Sequence, residues 1–192
     1  MNRAQIRPGA GLILLLILGM PDVRLMLEGD MALHMLLQFP LLLLAGWLLA
    51  QGVTEQARAV LRQWNHAGVT GLLLAAEVLM FWMIPRALDL VLTDRTWEAG
   101  KFLSLALAGA ALGLSWQAAG MIVRGFFLGN VLPMMMVAGW LYVAAPVRLC
   151  NAYLGSDQLR TGHGLLALAV AGSLIWLGAF FMSAGQQGNE TI

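Results

Sequence analysis

Three features of the chain predict an all-α fold, a polytopic transmembrane helix bundle of about six spans. Apolar residues make up 60% of it and charged residues only 11%, and the apolar residues come in long runs rather than in alternation. A soluble domain carries roughly 25% charged residues, so this chain has too few to cover a water-facing surface. Its mean hydropathy of +0.78 excludes disorder as well, since so apolar a chain must bury itself. Lipid offers no hydrogen-bond partners, so the spans must satisfy their own backbones, and long runs do so as helices. The 192 residues are read as a single bundle domain, 1–192, without low-complexity tract or convincing internal repeat.

The first span is expected from Gly9 to Met20. Its start at Asn2, Arg3 and Arg7, basic through the two arginines, also suits a signal peptide, but no small-x-small cleavage site follows. Pro21 and the polar stretch Asp22, Arg24, Glu28 and Asp30 suit a helix that stops at an interface. The further spans are expected at Met31–Gln51, Val69–Ile84 with a continuation to Val91, Phe102–Val123, Phe126–Ala145 and Gly164–Met182. Gly52 to Gly68, with Arg58, Arg62 and His66, reads as an amphipathic connection. Small residues from Ala108 to Gly120 mark the fourth span as a close-packing element.

Six spans place both termini on one side. Basic residues divide almost evenly between the sides, but seven acids, Asp22, Glu28, Asp30, Asp89, Asp94, Glu98 and Asp157, share one of them. The termini are therefore assigned to the cytoplasm. A net charge of +1 gives no reason to expect nucleic acid as a partner, and the single cysteine, Cys150, cannot form an intramolecular disulfide.

A charge at the centre of a span costs on the order of 2.5–3.5 kcal/mol on insertion scales, so the polar residues inside spans are the candidates for function. They are His34 and Gln38 in the second span, Glu77 in the third and Gln117 in the fourth. Glu77 is expected to be a neutral carboxylic acid hydrogen-bonded within the bundle to Gln117. Asp30, Met31, His34, Met35 and Gln38 form a ridge at helical spacing. Imidazole and thioether suit copper, and a carboxylate can complete a cupric sphere. Met80 and Met83 follow Glu77 on the third span at the same spacing. Methionine is also a common filler of apolar helices, and the chain has 12. Met134 to Met136, next to Pro133, read as packing around a kink. Three histidines, His34, His66 and His163, are too few and too scattered for haem, and no P-loop, HExxH, CxxC or GxSxG is present. No catalytic activity is expected.

PDVRLMLEGDMALHMLLQFPLLLLAGW resembles the opening block of the CtaG-like cytochrome c oxidase assembly family. FWMIPRALDLVL is similar to its W-H-x-P-x-x-Y-D block, TWEAGKFLSL with Trp116 to its E-H-x-x-F…W block, and SDQLRTG to its D-Q-x-x-x-G segment. Order and spacing agree from about Pro21 to Gly162. His34 stands at the family's second histidine, and Met35, Leu36, Pro40, Trp82, Pro85, Asp89, Glu98, Phe102, Asp157 and Gln158 fall on family positions. Asp30, Met83 and Ala99 stand where the family has histidines, and the chain is shorter than the seven-helix members.

The resemblance implies copper delivery to, or assembly of, a haem-copper oxidase in a bacterial inner membrane. The copper set would be His34, Asp30, Met31 and Met83, a thioether-containing version of the family's site at the periplasmic ends of the second and third spans. The alternative is a reused fold: a non-catalytic transmembrane subunit or docking partner of a respiratory or copper-containing membrane enzyme complex.

Overall fold

The computed structural model describes residues 3–189, with side chains for residues 6–182; Asn2 lies outside the described residues. These residues form nine helices and no strand. They are α1 Arg3–Gly19, α2 Pro21–Glu28, α3 Met31–Ala50, α4 Glu55–Trp64, α5 Val69–Trp82, α6 Pro85–Thr93, α7 Arg95–Ser115, α8 Met121–Ala144 and α9 Gly155–Asn189.

Three helices are long and apolar enough to cross a membrane: α3, α8 and the Gly155–Met182 part of α9. Two bent pairs, α1 with α2 at 71° and α5 with α6 at 76°, raise the number to five if each pair is one span. This differs from the six spans expected. Pro21 and Pro85 explain both bends, because each opens the second helix of its pair, where proline's missing N–H costs nothing, and neither could continue the helix before it. The expected span Phe102–Val123 is instead α7, which carries Arg95, Glu98 and Lys101 in its first two turns and ends at Ser115. Gly120 is extended there, with φ −68° and ψ 171°, and α8 starts after it.

The amphipathic connection becomes the short helix α4, capped by Thr54 and with no buried residue; Val60, Leu61 and Trp64 are exposed along it. Chain reversal into α5 uses Ala67 and Gly68, both left-handed at φ 53° and 72°. Glycine at the second position relieves the strain a side chain would bring there.

Helices α3 and α7 pack backbone to backbone and run parallel. A Cβ on Gly46 would come 1.9 Å from the Ala106 carbonyl oxygen, and one on Gly109 would come 1.9 Å from that of Leu43. Small residues let helices approach this closely when lipid supplies no hydrophobic drive between them. The same register, followed back two turns from Gly46 and Gly109, brings Gln38 opposite Lys101. Around this crossing the main apolar cluster forms, with Leu42, Leu88 and Leu105 fully enclosed. Helix α9 lies against α8, where Gly139 and Gly162 meet at their carbonyls, and touches the start of α3.

Candidate functional site

Asp30 starts α3. Its backbone is extended at φ −128°, and its carboxylate accepts hydrogen bonds from Ala32 N–H at 2.8 Å and Leu33 N–H at 3.2 Å, closing the helix end. The other carboxylate oxygen accepts from Arg160 on α9. Partial burial alone would raise this carboxyl, but the two backbone N–H groups and Arg160 outweigh it and hold it below the usual carboxylate range.

His34 to Gln38 form a π turn within α3, the kind of local widening that recurs at functional sites. Both end residues face α7, where Lys101, the only lysine in the chain, is fully buried. Its Nζ donates to Glu28 Oε1 at 2.6 Å, Gln38 Oε1 at 2.9 Å and His34 Nε2 at 3.0 Å. An ammonium has three N–H groups and no lone pair, so all three donors are used, and His34 Nε2 must be the acceptor. The imidazole proton therefore sits on Nδ1 and is donated to Tyr153 Oη at 2.6 Å. Gln38 adds a bond from Nε2 to Glu28 Oε1 at 3.3 Å.

Arg24 extends the network toward the end of the bundle. It lies along Glu28, with Nε 3.7 Å from Oε2, and donates to Glu98. The two cations, Arg24 and Lys101, are matched by two carboxylates, Glu28 and Glu98, around a neutral imidazole. A buried ion pair is sustained only when its remaining polar atoms are also satisfied, as they are around Lys101. Among the described residues the one buried side-chain polar atom without a hydrogen bond is Arg24 Nε.

Tyr153 reaches His34 because its loop is tied down at several points. Asp89 accepts from the backbone N–H of Asn151 at 3.0 Å and of Ala152 at 3.1 Å. Gln158 accepts from Leu149 N–H at 2.7 Å and donates to the Tyr142 carbonyl at 3.0 Å. The Tyr142 hydroxyl donates to the Met83 carbonyl at 3.1 Å, and Trp82 Nε1 donates to Ser104 at 2.8 Å. Burial, then the nearby Glu28 carboxylate, raises the Tyr153 phenol above its ordinary range, and burial with Asp89 pushes the Cys150 thiol up to about 12. Several residues on the resembled motif positions thus hold this loop or, as Glu98, hold Arg24.

The expected copper residues are distributed differently from a single donor set. His34 has no free ring nitrogen, since Nε2 accepts from Lys101 and Nδ1 donates to Tyr153. Asp30 is spent on its helix cap and on Arg160. Met31 is enclosed in the apolar core, and Met83 packs against it at the end of α5. Among the described residues no three His, Cys, Asp or Glu side chains are placed to hold a metal. A copper ion at Nε2 would stand beside an ammonium, which these residues as arranged do not accommodate.

Gln38 joins the network, whereas Glu77 and Gln117 do not meet. Glu77 is exposed at the middle of α5, and Gln117 is exposed beyond the end of α7, beside Arg58, Arg62 and Asn65 around a cavity of about 300 Å³. The early end of α7 places Gln117 off the helix, far along the bundle from Glu77. Five members of the network, Arg24, Glu28, Glu98, Lys101 and Tyr153, were not among the expected site residues. A single lysine directly before FLSLALAGAALGLS, in a chain whose other basic residues are arginines, was the signal that could have found the centre.

Compared with family models, with curated proteins and with solved structures, the chain matches none.

Proposed function

We propose that the chain is a multi-pass membrane protein that acts as a non-catalytic assembly or docking subunit of a membrane enzyme complex, of the haem-copper oxidase kind its motifs resemble. The observation that carries this reading is the engagement of His34 between Lys101 and Tyr153, which turns the one remaining motif histidine into a clamp joining α3, α7 and the loop before α9. A network with matched charges, and with every donor of Lys101 used, favours holding a shape over turning over a substrate. Isolation from the native membrane in mild detergent should bring the protein out in fixed stoichiometry with a larger complex. Recovery of the protein alone would overturn the reading.

Copper handling by His34, Asp30, Met31 and Met83 is the second reading. Of that set only His34 shares a point of convergence, where its Nε2 meets Glu28 Oε1 and Gln38 Oε1 at the position of a cation. For a metal to use His34, Lys101 must first leave. Titration with cuprous ion distinguishes the two readings. About one equivalent bound by the wild type and lost in His34→Ala establishes copper handling, and no His34-dependent binding supports the subunit.

A further inference from the structure

The outward faces of α5 and α8 carry a polar pair with no role in the network. Glu77 lines a groove of about 250 Å³ between these helices, and Asn130 lines its other wall. Both are exposed. Glu77 has no hydrogen bond or ion pair among the described residues, and Asn130 uses only its Nδ2, donating to the Phe126 carbonyl at 2.7 Å. The rest of the groove is apolar, with Leu73, Met80, Val123 and Phe126 along it.

Glu77 lies eight residues into α5 and Asn130 nine residues into α8, about 12–14 Å along each axis at 1.5 Å per residue. In a membrane this is the depth of the hydrocarbon rather than of the headgroups, where an unmatched carboxyl needs a partner. No described residue supplies one. Lys101 is enclosed, and Arg124, in the first turn of α8 and six residues short of Asn130, donates its Nε back to the Trp116 carbonyl, so among the described residues a second copy of the chain has no cation to offer at this depth.

We propose that the groove between α5 and α8 receives a transmembrane helix of a partner protein bearing a basic side chain, with Glu77 as its counter-charge and Asn130 as a second polar contact. This rests on the subunit reading and specifies its docking surface. The apolar walls supply packing for the incoming helix, and the carboxyl supplies its register and choice of partner.

The test places a photo-crosslinking amino acid at Met80 in the full chain in native membranes. The expected result is one adduct, mapped to an apolar helix with a lysine, arginine or histidine within a turn of the crosslinked residue. Glu77→Ala should lower its yield by about tenfold. Glu77→Lys combined with an acidic residue at the partner's basic position should restore it. Since Glu77 is exposed, Glu77→Ala should keep the wild-type melting temperature, which separates lost docking from lost folding. An adduct with a second copy or with lipid alone, or one unaffected by Glu77→Ala, overturns the proposal. If a stoichiometric complex is isolated and the groove gives no partner adduct, the docking site is wrong and the subunit reading stands; if no complex is isolated, that reading fails first.

Discussion

Lys101 Nζ lies 3.0 Å from His34 Nε2, and this contact dictates where the imidazole keeps its proton. With an ammonium donating to Nε2, the proton must be on Nδ1. Nitrogen NMR of protein labelled at histidine should show His34 as the Nδ1–H tautomer. An Nε2–H signal would show that the ammonium does not donate there.

Removing the ammonium should cost more than removing the whole ion pair. Lys101→Met leaves Glu28 buried without its nearest cation and should destabilise the protein by about 3–5 kcal/mol, whereas Lys101→Met with Glu28→Gln should recover much of that. Thermal unfolding in detergent across the double-mutant cycle measures the coupling. Additive effects would show that the two side chains act independently.

Tyr153→Phe deletes the acceptor of His34 Nδ1–H while keeping the ring. A buried donor left alone costs about 1–3 kcal/mol, so a clear fall in melting temperature is expected. An unchanged melting temperature would place that donor in contact with water.

Gly109→Ala puts a methyl group where the Leu43 backbone stands, 1.9 Å from its carbonyl oxygen. Backbone cannot rotate away as a side chain can, so a loss at or beyond the usual overpacking cost of about 1–3 kcal/mol is expected. Gly129→Ala, whose added Cβ meets nothing within 4 Å, is the control in the same assay.

Asp30 gives the pH dependence. Its carboxyl is held below the ordinary value of 3.8 by the Leu33 and Ala32 N–H groups and Arg160, which together outweigh its partial burial. A depressed folded-state value means that the stabilisation is present above the unfolded value and is lost as pH falls through the folded one. Asp30→Asn retains a capping oxygen but not the charge. Its deficit against wild type should hold steady above about pH 5 and shrink below about pH 4. A deficit unchanged down to pH 3 would remove the charge from the account.

Cys150 should be inert. Its thiol, pushed up to about 12 by burial and then by Asp89, holds almost no thiolate near neutrality. Alkylation at pH 8 should be slow in folded protein and fast once it is unfolded, and equal rates would contradict the burial.

The helical class and three of the long apolar helices were legible in the sequence because composition and run length report directly on what lipid permits. The bends were half legible: Pro21 and Pro85 were visible, but whether a proline stops a chain or redirects it depends on what the next helix packs against. Of the site, His34 and Gln38 stood out as polar residues in an apolar run. Lys101 did not, because at the edge of such a run a lysine looks like an ordinary interfacial charge, and only the parallel register of α3 and α7 turns it inward. Glu28 and Tyr153 come from segments that look like connections. Their burial depends on contacts 73 and 119 residues away in sequence, which no local pattern carries.

The matched charges of Arg24, Glu28, Glu98 and Lys101 have an electrical consequence. A transmembrane voltage does work on net charge, about 2.3 kcal/mol for each elementary charge carried through 100 mV. Two cations and two anions held together sum to zero, so the field exerts no net pull on the group as a whole and leaves it in place when the membrane is energised. Withdrawal of a single proton from Lys101 would leave a net negative charge and make a voltage-silent cluster voltage-responsive.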